Sequence, residues 1–167
     1  MLELKAFSIT DSEAAYHFFQ EMPENDHGFV NNFALLTYAE FQRRVPALLD
    51  EAEGKNLLVG RVPQTLFFLW KDGEIIGLFK VRHYLNDALR NGSGHIGFGI
   101  LPQYRRKGYA TKGLTLAIEA AKNIIREDEI YMSCYQDNIG SLKTQLNNGA
   151  YLHHSEGNTH FLRIKVR

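Results

Sequence analysis

Between His95 and Ala121 the hydrophobic period of the chain changes, and that change constrains everything packed around it. Ile96, Phe98 and Ile100 alternate with His95, Gly97 and Gly99, the two-residue period of a strand. From Ala110 the apolar residues fall at Leu114, Ala117, Ile118 and Ala121, one face of a helix. A strand must therefore pass into a helix across Pro102 and the basic turn Arg105-Arg106-Lys107-Gly108-Tyr109-Ala110. A helix start offers unpaired N–H groups and the positive end of a dipole, and here three cations stand beside it. Gly108 and the small Ala110 let the backbone approach a ligand closely, so the natural guest of the turn is a diphosphate. Three adjacent cations on their own would read more readily as a solvated surface or a nucleic-acid patch. Their position between a glycine-bearing strand and an amphipathic helix favours the phosphate cradle.

The remaining chain supplies the partners such a unit needs. Leu2 to Phe7 alternates as a strand, and Thr10 with Glu13 has the pattern of a capping box ahead of a helix running to Pro23. Thr37 and Glu40 repeat that pattern before a second helix, expected to bend or restart at Pro46 and to finish before Gly54. Glu24 to Phe33 between them reads as a loop. Thr65 to Trp70 and Glu74 to Tyr84 form a hairpin about Lys71-Asp72-Gly73. Leu85 to Ser93 is a polar connection, and the helix from Ala110 is expected to reach about Ile125. A strand follows over Ile130 to Tyr135, then a short helix capped by Asn138 and ended at Asn148-Gly149. Tyr151 to His154 and Phe161 to Val166 close the chain as a hairpin, leaving a C-terminal edge strand that could pair in a homodimer.

Several function classes lose support at this level. Nineteen acidic and nineteen basic residues cancel, so no overall field draws the chain to nucleic acid or to an anionic membrane. The single cysteine, Cys134, excludes an internal disulfide and a cysteine-rich zinc site, and the histidines lack metal-ligand spacing, so no metal is expected. No apolar run approaches a membrane span, and a cytoplasmic location is the expectation. Gly92-Ser93-Gly94-His95-Ile96-Gly97 matches the dinucleotide-binding pattern, yet it precedes a strand where that fingerprint must follow one.

At these same residues the sequence resembles the GNAT superfamily of acyl-CoA N-acyltransferases. Arg105, Gly108 and Ala110 match the family's Arg/Gln-x-x-Gly-x-Gly/Ala loop, and Asp137-Asn138-Ile139-Gly140-Ser141 with Asn148-Gly149-Ala150 matches its last helix. The resemblance is close from Ile75 onward and looser before it. It implies an α/β (mixed α+β) fold over residues 1–167 as a single N-acyltransferase domain. Such a fold has a central, mostly antiparallel mixed sheet flanked by helices, with a splayed strand pair holding the cofactor. It implies acetyl-CoA as co-substrate and transfer of its acetyl group to a primary amine, small-molecule or peptide, by direct attack in a ternary complex. The loop Arg105, Arg106, Lys107, Gly108, Tyr109, Ala110 and Thr111 would bind the pyrophosphate. The backbone of Gly99, Ile100 and Leu101, with Asn138 and Ser141, would take the pantetheine arm.

The resemblance breaks at the general acid, where many members carry a tyrosine and this chain has Gln145. Tyr135 is the substitute candidate, with Tyr104 and Tyr151 as further phenols. His95 is the candidate base, since an ordinary imidazole titrates near neutrality; His83 and Glu74 are further possibilities. Deprotonating a lysine-type amine at neutral pH costs about 4.6 kcal/mol, against about 1.4 for an α-amino group, so a base matters most for a lysine. The competing class is a catalytically silent acyl-CoA-binding regulatory module, suggested by the missing tyrosine.

Overall fold

The computed structural model describes residues 1–167. Strand β1 (Leu2–Ala6) pairs with β4 (Gln64–Lys71), β4 with β5 (Glu74–Arg82) and β5 with β6 (Ile96–Ile100), giving a four-stranded sheet in the order β1-β4-β5-β6. A second sheet, in the order β7-β9-β8, holds β7 (Glu129–Tyr135), β8 (Tyr151–Glu156) and β9 (Thr159–Lys165). Every ladder in both sheets is antiparallel. The expected hairpin between β4 and β5 forms because Asp72 and Gly73 both adopt positive φ, 49° and 86°, as a turn matched to strand twist requires.

Helices cover both faces of the first sheet. Helix α1 (Ser12–Glu21) and helix α2 (Tyr38–Ala52) bury Phe18, Phe19 and Phe41 against Leu66, Phe68 and Leu78. On the opposite face a helix at Tyr109–Lys122 lays Leu114, Ala117, Ile118 and Ala121 against Leu69, Phe79 and Val81, and the same core continues to Ile130, Met132 and Leu162 of the second sheet. Its Gly113 lies flat on the sheet, because a Cβ there would stand 2.5 Å from the Phe79 ring. Alternate residues of β4 thus feed different cores, Phe68 one and Leu69 the other, the period-two logic of a strand buried on both sides. No helix is long and apolar enough to cross a membrane.

Five local expectations are corrected. The Thr10–Glu13 capping box does not form: Ser8, in extended backbone, accepts from the Thr10 N–H, a tight turn follows over Ile9–Asp11, and α1 starts at Ser12. The Thr37–Glu40 box does form, but α2 runs unbroken through Pro46, since burial of Phe41 and Val45 before it outweighs one lost ladder bond. Glu24 to Phe33 contains a small hairpin, β2 (Asn25–Asp26) with β3 (Phe29–Val30), turned by His27 and Gly28 at positive φ. The polar connection after β5 contains helix α3 (Asp87–Arg90), capped by the Asn86 carboxamide. The helix at Tyr109–Lys122 is therefore α4, and α5 spans Ile139–Asn147. Finally, the last strand is no edge: β9 lies inside its sheet and β8 forms the edge.

Candidate active site

Two neighbouring strands part company at one point. The His95 N–H donates to the Tyr131 carbonyl at 2.7 Å, the Tyr131 N–H donates to His95 Nδ1 at 2.9 Å, and Gly94 bridges Met132. Beyond that junction no ladder joins β6 to β7. Ile96, Gly97 and Phe98 then line one side, and Ser133, Cys134 and Tyr135 the other, of a cavity of about 640 Å³. Gly94 makes the approach possible, for its φ is +69° and a Cβ there would stand 2.1 Å from the Tyr131 carbonyl oxygen.

The register with β5 decides which backbone groups of β6 are open. Leu101 N–H donates to Ile76 O and Arg82 N–H to His95 O, so residues 95, 97, 99 and 101 belong to the bonded pairs of the antiparallel ladder. Ile96, Phe98 and Ile100 direct their N–H groups to the open edge. The register turns the backbone of Gly99 toward β5, β5 takes the Leu101 N–H and Tyr104 N–H donates to the Leu101 carbonyl; Leu101 is also buried. Gly99 has a packing role, since a Cβ there would meet the Met22 methyl at 2.5 Å and the Phe29 ring at 3.3 Å. Gly97 faces open space, with only the Arg82 guanidinium near its Cβ position, at 3.8 Å.

The basic turn after β6 has the donors the sequence promised. Arg105 N–H bonds Pro102 O and Lys112 N–H bonds Gly108 O, but the N–H groups of Arg106, Lys107, Gly108, Tyr109, Ala110 and Thr111 meet no acceptor in the protein. Gly108 caps α4 in left-handed backbone (φ 82°), and Arg106 also has positive φ (60°). Nothing lies within 4 Å of the Gly108 Cβ position. A diphosphate fits this exposed, cation-flanked run of donors. The Arg105 side chain braces the turn against the β2–β3 hairpin, with Nε donating to Ile100 O at 2.9 Å and Nη2 meeting Asp26 Oδ2 at 2.6 Å.

The candidate acid–base groups separate clearly. His95 is wholly buried, its Nδ1 accepts from Tyr131 N–H, and its Nε2 donates to Glu127 at 3.0 Å. Burial holds its pKa below the ordinary value despite Glu127. It lines no part of the cavity and ties β6 to β7 at the junction. Glu127, although burial opposes ionisation, stays below the ordinary carboxylate range through hydrogen bonds from His95 and the Leu85 N–H. His83 is bonded to Thr65, Tyr104 to Glu74 and Tyr151 to Glu129, all outside the cavity. Tyr135 alone of the phenols lines it, half-exposed, with its hydroxyl end against Gly28. Cys134 is buried in the core, and burial pushes its thiol pKa up.

Asn138 caps α5 by accepting from Ser141 N–H at 3.2 Å and also lines the cavity. Gln145, in the position of the missing tyrosine, is fully buried and donates through Nε2 to Ser141 Oγ at 3.1 Å and to Ser133 O at 3.3 Å. The Ser141 hydroxyl is thereby held as an acceptor, with its own proton free. The sequence reading missed Lys80, Arg82 and Arg61, which also line the cavity. The available signal was two charges on one face of a strand otherwise apolar, alternating with Phe79 and Val81.

A sheet split at one junction, with an unpaired run of donors at the head of the helix that follows, defines an acyl-CoA-type transferase fold. The chain belongs to the acetyltransferase (GNAT) family, whose model matches residues 29–144. Family membership brings acyl transfer as the reaction class and acetyl-CoA as co-substrate. Among solved structures, a GNAT-family acetyltransferase from Streptococcus pneumoniae is similar over 99% of both chains, at 15% identity and a TM-score of 0.67. The ribosomal-protein-S5-alanine acetyltransferase from Vibrio fischeri is similar over 97% of this chain and 91% of its own, at 17% identity and 0.66. Aminoglycoside acetyltransferase AAC(6')-Ib, whose structure contains coenzyme A, is similar over 99% and 95%, at 16% identity and 0.65. Against curated proteins the sequence finds no match.

Proposed function

We propose that residues 1–167 form one N-acetyltransferase domain that transfers the acetyl group of acetyl-CoA to a primary amine by direct attack in a ternary complex. The observation that carries this is the continuous set of unpaired N–H groups from Arg106 to Thr111, at the head of the helix that follows the strand parting from β7. Acetyl-CoA, when bound, supplies an activated thioester carbonyl. The turn would hold its diphosphate, with Arg106 and Lys107 adding charge and Tyr109, Ala110 and Thr111 completing the helix start. The open-edge N–H groups of Phe98 and Ile100 would align the pantetheine arm as an added strand, and Asn138 and Ser141 would contact it from α5.

With His95 engaged elsewhere, the one imidazole lining the cavity is that of His27, in the β2–β3 turn. Proton removal from the amine would then pass to His27 or to cavity water, which is least costly for an amine of low pKa. Tyr135 and Ser141, both lining the cavity, would donate toward a leaving thiolate. The absence of the family tyrosine, replaced by an amide that cannot titrate, favours the second reading, a catalytically silent acyl-CoA-binding module. Thiol release from acetyl-CoA across a broad amine panel, run beside calorimetry with coenzyme A, decides between them. Binding with release supports the enzyme, binding without release the module, and no binding removes both.

A further inference from the structure

The cavity wall beside the strand junction is charged, and its charge is one-sided. Of its lining residues Arg61, Lys80 and Arg82 are cations, while Asp26 is the only carboxylate and is already paired with Arg105 at 2.6 Å. Arg61 is compensated from outside by Glu51 at 3.0 Å. Lys80 and Arg82 have no carboxylate within ion-pair distance. Lys80 has a long contact to Val30 O at 3.4 Å and lies 4.7 Å above the Phe29 ring; Arg82 gives one donor to Gly94 O at 3.2 Å and leaves the rest of its fork free.

The ladder explains why these two charges are presented rather than covered. Lys80 is opposite Gly97 in the register, Arg82 follows two residues later on the same face, and Gly97 has no side chain to lie over either. The space a side chain would fill belongs to the cavity, next to the open edge of Phe98. Two half-buried cations, side by side and without a counter-ion, are costly, and burial with the neighbouring Arg82 and Arg61 lowers the Lys80 pKa to about 8. An anion placed there offsets that cost. A polyamine or an aminoglycoside brings further positive charge to the same wall.

Resting on the acetyltransferase reading, we propose that the acceptor is a small amine carrying a carboxylate, such as a free amino acid, whose carboxylate is held by Lys80 and Arg82 while its amino group faces the open edge at Phe98. The site therefore selects against the polycationic amines. Arg82 offers the bidentate fork that matches a carboxylate, and Lys80 a point charge beside it.

The test compares amino acids, acidic and neutral, with their carboxamides, alongside spermidine and kanamycin, by thiol release from acetyl-CoA with the full chain. The expected result is a kcat/KM for the preferred amino acid at least about tenfold above that of its amide and above both polycations, with Lys80→Met and Arg82→Gln each shrinking the acid-to-amide ratio. A second measurement needs no turnover: calorimetry of the coenzyme A-loaded protein with an N-acetyl amino acid and its amide, where the acid should bind about tenfold more tightly. Turnover of polycations or amides equal to or faster than that of any carboxylate overturns the acceptor class and leaves acetyl transfer standing. No thiol release with any amine overturns the enzyme, and the calorimetric ratio then judges the anion site by itself: a ratio near one overturns it. Lys80→Met, a change between side chains of similar length, keeps the test open should Arg82→Gln fail to fold.

Discussion

His95 and Tyr131 hydrogen-bond twice, His95 N–H to Tyr131 O at 2.7 Å and Tyr131 N–H to His95 Nδ1 at 2.9 Å, and β6 and β7 part beyond them. The imidazole thus occupies a backbone donor that the splay would otherwise strand in the core. Gly94→Ala should cost roughly 3 kcal/mol or more, since its Cβ would collide with the Tyr131 carbonyl and its backbone is left-handed. Thermal unfolding checks this; a Tm within about 2 °C of the parent would mean that the junction yields easily.

His95→Gln separates a pin from a base. We expect a loss of about 2 kcal/mol with the pH profile of kcat/KM retained in the folded variant. The sign of the pH effect on stability also follows. The buried imidazole has a depressed pKa, so below the ordinary value of 6.5 the unfolded chain binds a proton that the folded chain resists. Stability falls as pH drops through that point, and His95→Gln should flatten the fall. Loss of one limb of the activity profile in a folded His95→Gln variant would restore the imidazole as a base.

Gly108→Asp addresses the donor run. Nothing lies within 4 Å of its Cβ position, and Asp tolerates positive φ better than most residues, so the fold should persist. A carboxylate facing the diphosphate should weaken coenzyme A binding by about tenfold or more. Circular dichroism checks the fold and calorimetry the affinity, and unchanged affinity would remove the turn as the binding site.

Lys80 carries a folded-state cost that titrates. With a folded pKa near 8 against an ordinary 10.5, the unfolded chain holds the extra proton between those values, and stability rises with pH across that window. Lys80→Met should be more stable than the parent at pH 7, by up to about 3 kcal/mol, with the difference narrowing as pH climbs from 8 toward 10. Denaturant titrations at pH 7 and 9.5 measure it; a variant less stable at pH 7 would show that the ammonium is comfortably solvated.

Tyr135→Phe and Ser141→Ala divide the proton donors. Whichever hydroxyl serves the leaving thiolate should lower kcat about 100-fold when removed, with little change in coenzyme A affinity. Full kcat in both variants would mean that the thiolate leaves without help from either.

Much of this architecture was legible in the sequence because it depends on near neighbours. The change of period about Pro102, the Asp72-Gly73 turn, the Thr37–Glu40 cap and the Gly108 helix start are each decided within a few residues. So was the family, since Arg105, Gly108, Ala110, Asn138 and Ser141 stand at fixed short spacings. The local signal failed where neighbours competed, as when Ser8 took the cap from Thr10 and the buried residues of α2 carried it past Pro46.

What the chain alone could not reveal is which polar groups other segments had already occupied. Ladder register turned Leu101 and Gly99 toward β5, a small hairpin claimed Arg105 through Asp26, and two backbone bonds and Glu127 consumed His95. The same register set Lys80 and Arg82 beside Gly97, leaving their charge facing the cavity. Sequence determines which groups a residue carries and the local bends of the backbone; only tertiary contacts decide which of those groups are still free, because each donor, acceptor or charge buried by folding must find its partner across distances that local spacing does not record.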